Sequence, residues 1–70
     1  MVKYQASAHY MDSDDVMAVV GLFRSQMEAR RACQRHARQI LEFRTRPAGI
    51  WKAQGPKYWY EIVRIEQEHT

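Results

Sequence analysis

Two segments of this chain are apolar on both of the faces a β-strand presents, yet the sequence offers only one helix to cover them. In VMAVVGLF (Val16–Phe23), strict alternation sets Val16, Ala18, Val20 and Leu22 on one face and Met17, Val19 and Phe23 on the other. In KYWYEIVRIEQ (Lys57–Gln67), Trp59, Val63 and Ile65 oppose Tyr58, Tyr60 and Ile62. A strand with one wet face alternates apolar and polar residues; one that is apolar at both parities is expected to be covered on both sides. A single helix shields one face of a sheet. The other face then needs a second cover, or it remains an apolar patch of a size that soluble monomers rarely expose.

The remaining elements follow from simpler signals. KYQASAHYM alternates, with Tyr4, Ala6, Ala8 and Tyr10 on one side and Lys3, Gln5, Ser7 and His9 on the other, which predicts a half-buried strand. The acidic DSDD at Asp12–Asp15 reads as a hairpin turn. Ser25 followed three residues later by Glu28 is a capping box, in which the two side chains satisfy backbone donors orphaned at a helix start. The helix is expected from about Gln26 to Arg44, because Pro47 disfavours helical geometry at Arg46. GIWKAQ predicts a third strand, Gly55–Pro56 a turn, and the second apolar segment a fourth strand. The expected order is ββαββ. This is an α+β fold, a four-stranded antiparallel sheet with one helix packed on one face, in a single compact domain over 1–70.

A chain of 70 residues is near the lower limit for a self-sufficient core. At this size one core rarely supplies more than about 3–5 kcal/mol, so small domains recruit a disulfide, a metal or a second subunit. Cys33 is the only cysteine, so an intramolecular disulfide is excluded. A lone cysteine and an N-terminus without a long apolar run point to the cytoplasm, with no membrane association.

Metal is not expected either. Cys33 and His36 form C-x-x-H on the helix, but a structural zinc needs four ligands, and His9 and His69 would have to converge from opposite ends. Cys33 and His36 also share the predicted apolar stripe with Ala29, Ala32, Ile40 and Phe43, where both read as core residues. No glycine-rich phosphate loop, serine elbow or calcium loop is present, so neither catalysis nor a cofactor is expected.

Charge is distributed unevenly. Residues 24–46 hold seven of the eight arginines against Glu28 and Glu42, within a net charge of +3. Arg31, Arg35 and Arg38 fall on the side of the helix away from the stripe. Such a ridge serves either as a solvated helix face or as a contact for phosphate.

VVGLFRSQMEARRAC (Val19–Cys33) resembles the first strand-to-helix junction of SPOR domains, which are peptidoglycan-binding modules with an RNP-like sheet. The shared residues are Val20, Gly21 and Phe23, followed by Ala29 and Ala32, within a segment that makes up about a fifth of the chain. SPOR domains carry a second helix for which this sequence has no counterpart, and their function is not carried over.

The expected function is that of a small non-catalytic protein-interaction module, an adaptor, regulator or inhibitor of a larger assembly, acting as a homodimer. Its contact residues are expected to be Tyr58, Tyr60, Ile62, Trp51 and Val19. The alternative is nucleic-acid binding, through the arginine ridge and an aromatic sheet face on which bases stack.

Overall fold

The computed structural model describes residues 1–66. Strands β1 (Val2–Tyr10) and β2 (Val16–Phe23) form a hairpin, helix α1 (Gln26–Ala37) follows, and β3 (Arg44–Arg46), β4 (Ile50–Gln54) and β5 (Tyr58–Glu66) complete the fold. The expected α+β class holds, with one helix and an antiparallel sheet. The sheet has five strands rather than four, in the order β2-β1-β5-β4-β3, so the element order is ββαβββ. The longest ladder joins β1 to β5, from Val2 opposite Glu66 to Tyr10 opposite Tyr58. Gln67, expected at the end of the last strand, lies outside the described residues.

The extra strand exists because the helix stops early. Ser25 caps its start, with Oγ accepting from the Glu28 N–H at 3.1 Å, which is one of the two bonds of the expected capping box. The end comes at Ala37 instead of Arg44, because Arg38 adopts a left-handed conformation with φ 59°. The Arg38 N–H donates to Arg35 O and the Gln39 N–H to Gln34 O, the paired bonds of a Schellman termination. Glycine ordinarily holds that position, and no glycine marks it here. The Gln34 side chain holds the exit by accepting from the Leu41 N–H at 3.1 Å, and Leu41 is buried in the core. Leu41 therefore replaces Ile40 as the anchor: Ile40, expected on the helix stripe, is 89% exposed. Arg44–Arg46 is released to pair with Ile50–Lys52 through a turn at Pro47–Gly49, where Ala48 and Gly49 both take positive φ.

The helix covers one face only. Ala29, Ala32 and Cys33 are buried beneath it, small enough to let the helix lie close to the sheet. Opposite them are Ala6 and Ala8 of β1, Ala53 of β4, and Tyr60 and Ile62 of β5. His36, expected in the core, is exposed at the helix end.

Strand β2 does not alternate strictly. Its register with β1 slips twice, so that Val20 and Met17 are extra residues without a partner there. Ala18 and Gly21 oppose Ala8 and Ala6 on the helix side, and Met17, Val20 and Phe23 pack against the core. Val16, Val19 and Leu22 oppose His9, Ser7 and Gln5 on the other side. The parity expected from the sequence, with Val16, Ala18, Val20 and Leu22 together, is corrected to a spacing of three. The two bulges turn every apolar residue that can reach the core toward it and leave three behind.

Candidate interaction surface

The uncovered face is built from the odd-numbered residues of β1 and their ladder partners. Lys3, Gln5, Ser7 and His9 oppose Ile65, Val63, Glu61 and Trp59 of β5. Ile50, Lys52 and Gln54 extend these rows into β4, and Arg44 and Arg46 extend them into β3. Beside β1 stand Val16, Val19 and Leu22, which are 53%, 60% and 51% exposed. The face is thus zoned: aliphatic along β2, polar in the middle, aliphatic again at Val63, Ile65 and Ile50, and basic along β3 and β4.

Of the expected contact residues, only Val19 lies here. Tyr58, Tyr60, Ile62 and Trp51 sit on the helix side, since Ile62 opposes Ala6 and Trp51, and Tyr60 opposes Ala8 and Ala53. Tyr60 and Ile62 are 1% and 0% exposed, so they are core residues, unavailable to a partner. The error was one of face: both faces of β5 are apolar in the sequence, and only docking of the helix distinguishes them.

At the centre lies a buried polar cluster that the sequence reading passed over. Ser7 Oγ is 2.8 Å from His9 Nε2, and His9 Nδ1 is 3.2 Å from the Asp14 carbonyl oxygen. The carbonyl can only accept, so Nδ1 carries a proton, and in the neutral ring Nε2 accepts from the Ser7 hydroxyl. The His9 ring stacks on Trp59 with centroids 4.0 Å apart, and Trp59 Nε1–H is shared between the Tyr10 and Ser13 carbonyls. Glu61 lies 3.8 Å from His9 Nε2 and 3.9 Å from Lys52 Nζ. A serine hydrogen-bonded to a histidine is the first requirement of a nucleophile–base pair. Here both side chains are buried, and the depression formed by Arg44, Arg46, Lys52 and Trp59 is not lined by Ser7 or His9. The cluster pins the acidic turn to the sheet. The only sequence signal for it was Ser7 and His9 at i, i+2 on one strand face.

That depression, of about 660 Å³, is lined by Arg44, Arg46, Lys52 and Trp59 together with the acidic Asp14 and Glu42. The Trp59 indole already has contacts: His9 stacks on it, and Lys52 Nζ lies 5.1 Å from the ring centroid. The expected arginine ridge is also changed, because Arg31 and Arg35 stay on the exposed side of the helix whereas Arg38 is the left-handed residue that ends it.

Cys33 is fully buried, and burial pushes its thiol up to about 12. Among the described residues no group of three or more His, Cys, Asp or Glu could hold a metal, and no helix is long and apolar enough to cross a membrane. His69 lies outside the described residues. Comparison with protein families, curated proteins and solved structures finds no match to this chain.

Proposed function

We propose that this chain is a small non-catalytic protein-interaction module that acts as a homodimer, regulating or linking a larger assembly in the cytoplasm. The observation that carries this reading is the exposed aliphatic row Val16, Val19 and Leu22 on a sheet face that no element of the described chain covers. Each of these side chains releases roughly 1–2 kcal/mol when removed from water, and with a single cysteine, and no metal cluster among the described residues, the small core has no such staple there. A partner across this surface provides both the cover and the missing stabilisation.

Nucleic-acid binding is the second reading, favoured by Arg44, Arg46 and Lys52 around one depression. It has lost much of its aromatic support, since Tyr60 and Trp51 face the helix and Trp59 already stacks with His9.

Sedimentation equilibrium tests the first reading. A dimer at micromolar concentration is expected, with a melting temperature that rises with protein concentration. A chain that stays monomeric at high concentration overturns it.

A further inference from the structure

The two edges of the sheet are protected very differently. Edge strands carry unpaired backbone groups that can template another strand, and proteins blunt them by shortness, charge or proline. Strand β3 uses all three: it has three residues, two of them Arg44 and Arg46, and Pro47 follows directly. Strand β2 uses none of these, and its only edge irregularity is the pair of bulges at Met17 and Val20. It has eight residues, VMAVVGLF, without a charge or a proline, and no strand of the described chain pairs with its outer side.

We propose that β2 is a dimerisation edge that pairs antiparallel with β2 of a second copy, about a two-fold axis passing through Val19. This rests on the self-association proposed above but places the contact at the sheet edge: pairing brings Val16, Val19 and Leu22 of the two copies side by side and leaves the rest of the open face uncovered.

The register follows from the bulges. Residues directly opposite one another in an antiparallel ladder project to the same face. The exposed residues Val16, Val19 and Leu22 are symmetric about Val19, and so are the helix-side residues Met17, Ala18, Val20 and Gly21. Placing Val19 against Val19 of the second copy therefore sets Val16 beside Leu22, Met17 beside Gly21 and Ala18 beside Val20, every pair matched in face. A slip of one residue sets exposed Val19 against covered Val20 or Ala18, and the match is lost.

Charge agrees with the same register. The chain is cationic overall, yet β2 itself is neutral, so two copies meet along it without arginine against arginine. In the same register Asp14 and Arg24, which lie in bends just outside the two ends of the strand, come near one another across the two copies, and by symmetry this happens twice. Both side chains belong to exposed residues. The flanking charges are complementary only in the antiparallel sense; a parallel pair would set acid beside acid.

Single-cysteine variants read the register directly, because native Cys33 is buried. Opposed Cα atoms in an antiparallel pair lie about 4.5–5.5 Å apart, within disulfide reach. Under mild oxidation Val19→Cys is expected to form a covalent dimer readily. Leu22→Cys alone is expected not to do so, whereas a mixture of Val16→Cys and Leu22→Cys gives the mixed dimer. If Leu22→Cys cross-links to itself as fast as Val19→Cys, or the mixture does no better than its components, the register is wrong. Charge reversal supplies a second arm that needs no oxidation. Asp14→Arg and Arg24→Asp are each expected to weaken the dimer roughly ten-fold, since each spoils two exposed pairs, and the double variant restores it. Absence of rescue overturns the pairing. A native chain that sediments as a monomer defeats the self-association reading itself; a stable dimer that Val19→Cys fails to capture defeats only the edge.

Discussion

The Tyr60 hydroxyl lies 2.7 Å from His36 Nδ1, joining the first part of the central strand β5 to the last turn of the helix. The two partners differ in access to water: Tyr60 is buried and His36 is exposed. Their loss is therefore unequal in cost. Removing the imidazole leaves a buried hydroxyl with fewer partners, at about 1–3 kcal/mol, whereas removing the hydroxyl leaves an exposed ring nitrogen that water can satisfy, at about 1 kcal/mol or less. His36→Leu is expected to lower stability more than Tyr60→Phe. Urea denaturation of the two variants, compared at equal slope, decides this, and the reverse order would show that water already serves the Tyr60 hydroxyl.

The same core makes the protein sensitive to alkali. Burial raises the Cys33 thiol from 9.0 to about 12, and burial, followed by the neighbouring Cys33 and Tyr58, raises Tyr60. A group whose folded pKa is raised favours the folded state in its protonated form. That contribution is complete below the unfolded value and is lost as pH climbs through the folded one. Stability should therefore fall above about pH 9, and Cys33→Ala should make that fall shallower. A pH series of thermal melts measures it. In the native state at neutral pH, a thiol reagent should label Cys33 slowly, and rapid labelling would contradict its burial.

Arg38 pays a conformational penalty for ending the helix. A non-glycine residue in the left-handed region costs roughly 1–2 kcal/mol, while glycine returns about 0.5–1 kcal/mol of that through the greater freedom of its unfolded chain. Arg38→Gly should raise stability by about 0.5–1 kcal/mol. Gly49→Ala should do the opposite, since its φ is +71° and an added Cβ would stand 3.1 Å from Arg64 Cβ. Differential scanning calorimetry of the pair tests both signs together.

Binding to oligonucleotides distinguishes the two functional readings. Contact with phosphate releases counterions, so log affinity falls with log salt by about 0.7 for each phosphate neutralised on a single strand. Only feeble, nonspecific binding is expected at about 0.15 M salt, where screening is strong. If Arg44→Gln with Arg46→Gln abolishes a submicromolar affinity under those conditions, nucleic acid becomes the leading reading. If Arg31→Gln with Arg35→Gln abolishes it instead, the helix ridge is the contact.

Local signals carried much of the fold. The alternation of β1 from Tyr4 to Tyr10, the acidic turn, the capping box at Ser25 and the burial of Cys33 beneath a helix were all legible, because each depends on residues within a turn or a strand of one another. The class α+β followed from their order. Three features depended on contacts distant in sequence. The helix ends at Arg38 because Leu41 reaches the core while Gln34 secures the exit, and without a glycine no local residue announces it. The bulges at Met17 and Val20 appear only when β2 is laid against β1, where the core accepts more side chains than strict alternation would supply. Most consequential was the choice of face on β5. Tyr58, Tyr60 and Ile62 are as apolar as Trp59, Val63 and Ile65, so the sequence determined only that both faces of β5 are apolar. The tertiary structure decided which face the helix covers. Ala6 and Ala8 allow the close approach of Ala29 and Cys33 on one side, while Glu61 and Lys52 hold charge on the other.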